Sequence, residues 1–407
     1  MQIWLGDSLK ILQISPDSMP YLRGGGTETF SLLVKMWTEE GHEVTQLASV
    51  PAAISNPDTE KSYNHTVTFF KLVNAPDFVR ESSYFFPLRW RERFRLSSML
   101  SDLARDCDLI VIHGFLEALP RFALLHLPEN VRTRVVVTDH GIPLASYSIF
   151  LSMASWLFYR SIGRIILSRV KYIVVYSQQS LADLHRFCGR LRGAKVIKLF
   201  SGVEINGLRS SYHEAKSRQT ELEEILLSEH GVIGPYLYAI GRLVRTKGFD
   251  ILIRAFSLVS SAYPELQLVI SGDDNGYGKE LEELIDELGL GSRVKFTGRV
   301  SQVIKVHLML NCKVFVIPSR REGYGLNAVE AAILRIPTVA TDTGAHSDTL
   351  QGKDFACIVA PEDIDSLKAA IIDLMRYGDD GRFYDVDEAI RHDIKRLADS
   401  YLAITKL

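Results

Sequence analysis

Short apolar runs, several of them closing on glycine, recur along the whole chain, and helical patterns separate most of them. In the first half they fall at Lys10–Ser15, Glu43–Ala48, Thr66–Leu72, Asp108–His113, Arg134–Thr138, Tyr172–Tyr176 and Lys195–Leu199. The second half supplies Tyr236–Gly241, Leu266–Gly272, Arg293–Gly298, Val314–Ser319, Pro337–Thr343 and Ala356–Ala360. A continuous apolar run of this length reads as a strand buried on both faces, as in parallel sheets. Alternation with helices predicts an α/β fold with one helix-covered parallel sheet per domain. At 407 residues two domains are the default. The expected boundaries are 1–205 for the first domain, a polar linker with a short helix at 206–235, and 236–386 for the second. A final helix at 387–407 carries no strand of its own.

Composition narrows the class. Hydrophobic content of 46% and charge of 24% are those of a globular protein, and a net charge of −2 gives no support to a general nucleic-acid role. The charge is uneven: residues 1–205 hold 23 Lys+Arg against 19 Asp+Glu, the remainder 24 against 30. A basic amino-terminal half suits an anionic acceptor or a membrane surface. Cys107, Cys188, Cys312 and Cys357 are isolated, without zinc or redox spacing, which fits buried thiols in a reducing cytoplasm. The stretch Met1 to Gly6 is too short for a signal peptide and acidic Asp7 follows it, so the expected location is cytoplasmic.

The chemistry concentrates between Gly241 and Glu330. Gly241-Arg242-Leu243 follows one strand, and Lys247-Gly248 comes three residues later. Ile251, Leu252, Ala255, Phe256 and Val259 then recur at helical spacing, which puts both cations in the connecting loop. The strand Val314–Ser319 leads through Arg320-Arg321-Glu322-Gly323-Tyr324-Gly325-Leu326-Asn327 into a helix that carries Glu330. Ligands of open parallel sheets bind beyond the carboxyl ends of the strands. Cations there suit a diphosphate, carboxylates suit sugar and ribose hydroxyls, and glycines before a helix let free N–H groups approach phosphate.

The run Gly-Arg-Leu-x3-Lys-Gly, then Glu-x7-Glu, then Pro337-Thr338-Val339-Ala340-Thr341-Asp342-Thr343-Gly344, resembles glycosyltransferase family 4. The resemblance implies a GT-B fold, two Rossmann-like domains facing a central cleft, and retention of anomeric configuration. It implies that Arg242 and Lys247 bind the donor diphosphate, Glu330 the nucleotide ribose and Glu322 the donor sugar. The backbone of Tyr324, Gly325 and Leu326 would cap phosphate or sugar oxygens, and the last helix would return to the amino-terminal domain. The chain departs from the family pattern in three places. Arg335 stands where a small residue, commonly Gly, is usual; Gly344-Ala345-His346-Ser347-Asp348 replaces Gly-Gly-x-Pro-Glu; Phe200-Ser201-Gly202-Val203-Glu204 replaces Pro-Asn-Gly-Val-Asp.

Gly24, Gly25 and Gly26 precede an apolar helix after the first strand, and three glycines there can expose N–H groups to an anion. The Gly-Lys-Ser/Thr ending of a Walker loop is absent. In this family's first domain the segment looks like the loop that closes over the donor. His113 and His140 both end strands; by resemblance His140 lies near the reacting end of the sugar, with Asp139 available to orient it. Tyr84 to Arg95 interleaves aromatics with Arg89, Arg91, Arg93 and Arg95. That segment reads either as a contact with anionic membrane or as a helix with a solvated basic edge. The uncharged run Gly141 to Tyr159 approaches spanning length, but Pro143 and four serines argue against a span.

These readings converge on a metal-independent hexosyltransferase, with no cofactor, moving sugar from a nucleoside diphosphate to a hydroxyl acceptor. Cell-surface polysaccharide or glycolipid synthesis, with a lipid-linked acceptor and a peripheral membrane position, is the expected setting. No Asp-x-Asp motif stands at a suitable strand end, and Asp363-x-Asp365 reads as helix capping. A synthase or phosphorylase of a small soluble glycoside would use the same donor chemistry. A nucleotide-sugar epimerase of this architecture finds no support in the motifs, and a non-catalytic sugar-nucleotide-binding subunit would require lost donor residues.

Overall fold

The computed structural model describes residues 8–16, 25–50, 60–62, 65–71, 88–115, 117–139, 157, 159–189, 191, 193–376 and 382–404. The chain divides into two compact units, one of residues 1–202 with 394–407, the other of residues 203–393. Each is built on its own sheet.

The first unit contains β1 (Lys10–Ser15), β2 (Glu43–Val50), β3 (Glu60–Ser62), β4 (His65–Lys71), β5 (Leu109–His113), β6 (Val135–Asp139), β7 (Tyr172–Val175) and β8 (Lys195–Lys198). They form one sheet in the order β3-β4-β2-β1-β5-β6-β7-β8. Every pairing is parallel except that of β3 with β4. The short antiparallel β3 has no counterpart among the sequence expectations, because three residues carry too little apolar pattern to register. Helices α1 (Gly25–Glu39), α2 (Trp90–Asp106), α3 (Ala118–His126), α4 (Arg164–Leu167) and α5 (Gln178–Cys188) lie between the strands. Leu12, Ile14, Ile110, Ile112, Val137 and Ile173 from the strands pack against Leu96, Leu100 and Leu119 of the helices.

The second unit contains β9 (Tyr236–Ile240), β10 (Gln267–Ser271), β11 (Val294–Gly298), β12 (Val314–Ile317), β13 (Thr338–Thr341) and β14 (Ala356–Val359). The order β11-β10-β9-β12-β13-β14 is parallel throughout. Its helices are α6 (Ile205–Ser217), α7 (Gln219–His230), α8 (Phe249–Ser260), α9 (Gly278–Glu287), α10 (Gln302–Asn311), α11 (Leu326–Ile333), α12 (His346–Leu350), α13 (Ile364–Leu374) and α14 (Val386–Arg391). Side chains at their amino ends anchor several: Glu204 accepts from the Gly207 N–H, Ser301 from Ile304 and Asp363 from Ser366. Strand order reverses where β10 and β12 flank β9, which makes a switch point at the carboxyl ends of β9 and β12.

Two boundaries differ from the sequence expectation. The stretch 206–235 is not a linker: α6 and α7 bury Leu208, Ala215, Leu222 and Leu226, and α6 packs on α10. Its charged residues fill the solvent faces of amphipathic helices, which gave it the composition of a connector. The helix expected over 387–407 is two. It breaks at His392-Asp393, with α14 in the second unit and α15 (Ile394–Ile404) in the first. There α15 packs on α1: the Trp37 indole N–H donates to the Ala398 carbonyl at 3.3 Å, and the Tyr401 hydroxyl meets that of Tyr176 at 2.5 Å.

Trp37 is fully buried against α15, so Trp37→Ala should leave a cavity and cost the first unit about 3–5 kcal/mol. Urea unfolding followed by near-ultraviolet dichroism reads this; a loss below about 1 kcal/mol would mean that α15 is not a structural part of that unit.

Candidate functional site

The loops after β9 and β12 meet at the switch point, where Gly248 makes the meeting possible, and Gly272, just after β10, admits the backbone of the β9 loop. Gly248 takes φ +68°, and a Cβ there would sit 2.1 Å from the Pro318 carbonyl oxygen. Gly272 takes φ +137°, and its Cβ would sit 1.9 Å from the Gly241 carbonyl. With no side chains in the way, the Arg320 N–H reaches the Thr246 carbonyl at 2.8 Å. The Arg320 guanidinium adds a fork onto Asp250 at 2.6 and 2.8 Å, a bond to the Arg245 carbonyl at 2.8 Å and a pair with Glu362. Arg320 therefore joins the two loops from the protein side.

That junction brings Lys247 and Glu322 into direct contact, although 75 residues separate them in sequence. The Lys247 ammonium donates to Glu322 Oε1 at 2.6 Å, and the Ser319 hydroxyl donates to the same oxygen at 2.7 Å. Their side chains are 20% and 11% exposed, so the pair is nearly dry yet reachable. Burial by itself pushes the Glu322 carboxyl up, but the Lys247 charge and the hydrogen bonds from Lys247 and Ser319 outweigh it and hold the group below its usual value. Arg242, by contrast, is exposed in its loop and enters no ion pair among the described residues.

The loop after Glu322 presents backbone. Gly325 takes φ +99° as the residue before α11. The Ala328 N–H folds back to the Gly325 carbonyl, while nothing among the described residues accepts from the N–H groups of Gly325, Leu326 and Asn327. Such a helix start favours an anion. The Tyr324 carbonyl accepts from Ala345 at 3.0 Å and its ring is buried, the hydroxyl 3.4 Å from His392 Nδ1. Of the three residues expected to cap with backbone, Gly325 and Leu326 thus offer N–H groups, while Tyr324 has its carbonyl engaged. The Asn327 amide donates to the Ile240 carbonyl at 3.2 Å and ties α11 to β9.

Glu330 sits on the buried side of α11, 6% exposed. It pairs with Lys305, and Gln302 donates to Oε1 at 3.1 Å. Sequence reasoning missed both partners. They stand one turn apart at the start of α10, a spacing that marks a shared helix face but cannot name the carboxylate it meets.

Two departures from the family pattern acquire reasons. Arg335 adopts φ +48°, the left-handed region where glycine is easiest. Its guanidinium lies over the rings of Phe355 and Phe383 at 4.8 and 5.2 Å and pairs with Asp354 at 3.0 Å. These contacts offset the backbone strain. His346 is fully buried with Nδ1 2.8 Å from the Thr341 carbonyl, so that nitrogen carries the proton and burial keeps the ring neutral. Its Nε2 lies where a Cβ on Gly325 would be, at 2.5 Å, so the histidine and the glycine require each other.

In the first unit, Gly25 and Gly26 open α1, and a Cβ at Gly26 would meet only the Phe30 ring, at 3.5 Å. The fold therefore does not itself demand glycine there. Gly24 and His140 lie outside the described residues. His113 is structural: it stacks on Phe30 at 4.2 Å, with Gln13 and Thr138 at its two ring nitrogens, 2.9 and 3.0 Å away. Among the described residues no group of three or more His, Cys, Asp or Glu is placed to hold a metal ion. Asp363, of the Asp-x-Asp sequence, caps α13. No helix among the described residues is long and apolar enough to cross a membrane.

Two family profiles match the chain, one described as Glycosyltransferase Family 4 over residues 23–205 and one as Glycosyl transferases group 1 over residues 230–382. Together they mark the chain as a family 4-like glycosyltransferase. Among its relatives are a mannosylfructose-phosphate synthase from Agrobacterium fabrum, 30% identical over 151 residues, and the lipopolysaccharide core biosynthesis mannosyltransferase LpsB from Rhizobium meliloti, 28% identical over 138. These matches take in 35% and 32% of this chain and span only 33% and 39% of the relatives' lengths. A glycogen synthase from Mycobacterium tuberculosis is 23% identical over 379 residues, 89% of this chain and 85% of its own. The fold matches that of a sucrose-phosphate synthase from Thermosynechococcus elongatus, with a TM-score of 0.72 and 18% identity over 98% of both chains. The family 4 assignment accords with two Rossmann-like sheets and with the cation and carboxylate motifs at the β9/β12 switch point.

Lys247→Met should change the pH dependence of stability in a defined direction. In the native protein Glu322 titrates below its ordinary value, so its stabilising contribution is complete above the ordinary carboxylate range, about 4.3, and fades as pH falls through the lowered value. Without the ammonium, the upward push of burial is no longer offset, and the ionised carboxylate destabilises the fold. The Tm gap between wild type and variant should be widest near pH 7 and shrink toward pH 4. A gap independent of pH would show that the pair contributes nothing through ionisation.

Proposed function

We propose that this family 4-like chain is a retaining hexosyltransferase that moves a sugar from a nucleoside diphosphate to a hydroxyl acceptor, without a metal ion or cofactor. The observation that carries the reading is the Lys247–Glu322 pair, set beside the open N–H groups of α11 at the switch point. Arg242, Lys247 and those N–H groups receive the diphosphate. Glu322 faces the sugar through the oxygen not engaged by Lys247 and Ser319, and Glu330, oriented by Lys305 and Gln302, receives the ribose.

The reaction breaks the bond between the anomeric carbon and the phosphate oxygen and forms one to the acceptor oxygen. The acceptor's proton leaves with the diphosphate. Charge grows on the leaving group in the transition state, and preorganised cations and N–H groups lower the barrier most where charge develops. Retention follows if the acceptor attacks from the face the diphosphate leaves. By the family resemblance His140 acts near the reacting end of the sugar and the Gly24–Gly26 loop serves the donor; among the described residues only Phe30 lies near a Cβ at Gly26, which suits a glycine kept for a ligand. Relatives named for lipopolysaccharide core and capsular polysaccharide biosynthesis support a cell-envelope acceptor; a peripheral position at the inner face of the membrane is part of the same proposal. The mannosyl relatives favour a hexose donor.

Transfer is measured with a panel of nucleotide sugars in the presence of EDTA, where turnover should be unchanged; loss restored by a divalent cation would overturn the metal-free reading. Arg242→Ala is the clean test of the diphosphate role, since the exposed side chain makes no ion pair among the described residues. It should lower kcat/KM roughly a hundredfold or more with little change in Tm. Lys247→Ala should lower it at least as far, but also perturbs Glu322. Catalysis at the wild-type rate by a folded Arg242→Ala protein would rule out that role.

The carboxylates should fail differently. Glu330→Ala should mainly weaken nucleoside diphosphate binding, because ribose contacts change little during reaction. Glu322→Gln should lower kcat without weakening nucleoside diphosphate binding, its target being the sugar. Equal losses of nucleotide affinity in both would contradict the division. A chain that binds nucleotide sugars but neither transfers nor hydrolyses them would be the non-catalytic binding subunit instead.

A further inference from the structure

The first unit carries a groove of about 610 Å³ between α2 and α3, a size typical of small-molecule sites. Leu88, Ala118 and Phe122 are its more buried lining residues, with the exposed Trp90, Phe94 and Leu125 at the rim. The rim is conspicuously exposed: Trp90 at 66% and Phe94 at 73%, their rings in edge contact at 6.0 Å. A paired Trp and Phe left in water beside an apolar hollow marks a contact surface, since burial of each aromatic face would be favourable. His126 extends the floor by stacking on Phe122 at 3.9 Å.

Basic side chains predominate around this groove, with Glu117 beside Arg121 as the acidic exception. Arg93 and Arg121 line it, and Arg89 and Arg91 stand exposed on the first turn of α2 and just before it. Arg93 is held by the Leu88 carbonyl at 3.0 Å. Burial lowers the pKa of the Arg121 guanidinium, Glu117 opposes that shift and the nearby Arg93 adds to it. Arg95, although 44% exposed, is tied to the Phe69 carbonyl and Glu92 and lies over the Phe70 ring.

The groove's position also matters. The Arg89 N–H bonds the Lys71 carbonyl that ends β4, and α3 begins just after the end of β5. Both helices thus start at the carboxyl edge of their own sheet, where parallel-sheet proteins bind ligands. Residues 72–87 and 140–156, which include Tyr84 to Pro87 and most of the uncharged run, lie outside the described residues, and nothing here depends on them.

We propose that the α2–α3 groove seats the hydrocarbon chain of an anionic phospholipid, with Arg93 and Arg121 at its phosphate and the Trp90–Phe94 pair against the chain. The apolar floor selects a hydrocarbon, the like-charged arginines select an anionic head, and aromatics at the rim suit the boundary between tail and head. The proposal stands on the first unit alone and does not depend on the donor-site reading.

Binding without any donor or acceptor tests it. Calorimetry with the full chain should give decyl phosphate at least tenfold tighter binding than decyl maltoside, and no detectable binding of inorganic phosphate alone at the same concentrations. Phosphatidylglycerol vesicles with brominated acyl chains should quench Trp90 fluorescence at low salt, judged against Trp90→Phe, and phosphatidylcholine vesicles should not. Ser97→Trp, which projects into the groove from an exposed position, should weaken decyl phosphate at least tenfold with Tm unchanged. Arg93→Gln should erase the preference for phosphate over maltoside. Equal affinity for the two amphiphiles, or wild-type binding by folded Ser97→Trp, would overturn the proposal. So would vesicle binding without quenching of Trp90, which would mean surface charge attraction only. A dimer disrupted by Phe94→Asp, with no amphiphile binding, would assign the face to a second copy of the chain instead.

Discussion

Close approach of two loop backbones at the β9/β12 switch point is the constraint on which the candidate site rests. A single methyl group at Gly248 would overlap the Pro318 carbonyl and force the loops apart. Lys247 could then no longer reach Glu322, and the α11 amino end would lose its register with the cations. The Arg320 fork onto Asp250 holds the approach from the far side, leaving Lys247 to the ligand side. Scaffold and chemistry are divided between neighbouring cations of one loop pair.

Much of this was legible in the sequence for a physical reason. A parallel strand buried on both faces leaves an unbroken apolar run, and a loop that must approach another backbone leaves glycine. All thirteen expected strands appear, and the Gly-Arg-Leu-x3-Lys-Gly and Glu-x7-Glu motifs converge on one sheet edge. Partners across the fold were not legible. Lys305 and Gln302 look like ordinary residues of an amphipathic helix until α10 is laid against α11. The 206–235 stretch was misread for the complementary reason, since burial of Leu208, Leu222 and Leu226 is masked by the charges around them.

The departures from the family pattern show that a local rule can be broken where a nearby contact offsets it. Arg335 occupies a left-handed position that costs on the order of 1 kcal/mol for a side chain. Two aromatic rings and Asp354 supply a comparable gain. His346 is a different case. A neutral ring held by the Thr341 carbonyl fills the space beside Gly325 without adding a charge. A cation there would compete with Lys247 for Glu322; a carboxylate would repel it.

That electrostatic arrangement bears on how a single lysine can serve two anions on the proposed reading. An ammonium has three donors, and one is spent on Glu322. A phosphate arriving from the α11 side can take another without displacing the carboxylate. Two unit charges 4 Å apart interact by about 4 kcal/mol at an effective dielectric near 20, so a second anion beside Lys247 is stabilised while Glu322 repels it. The net gain grows if the carboxylate's own repulsion is relieved by sugar hydroxyls donating to its second oxygen. The pair therefore couples the two ends of the donor: the sugar must bind Glu322 for the diphosphate to gain fully from Lys247. A nucleoside diphosphate without its sugar leaves that repulsion unrelieved, and the same ion pair that readies the site for donor favours departure of the product.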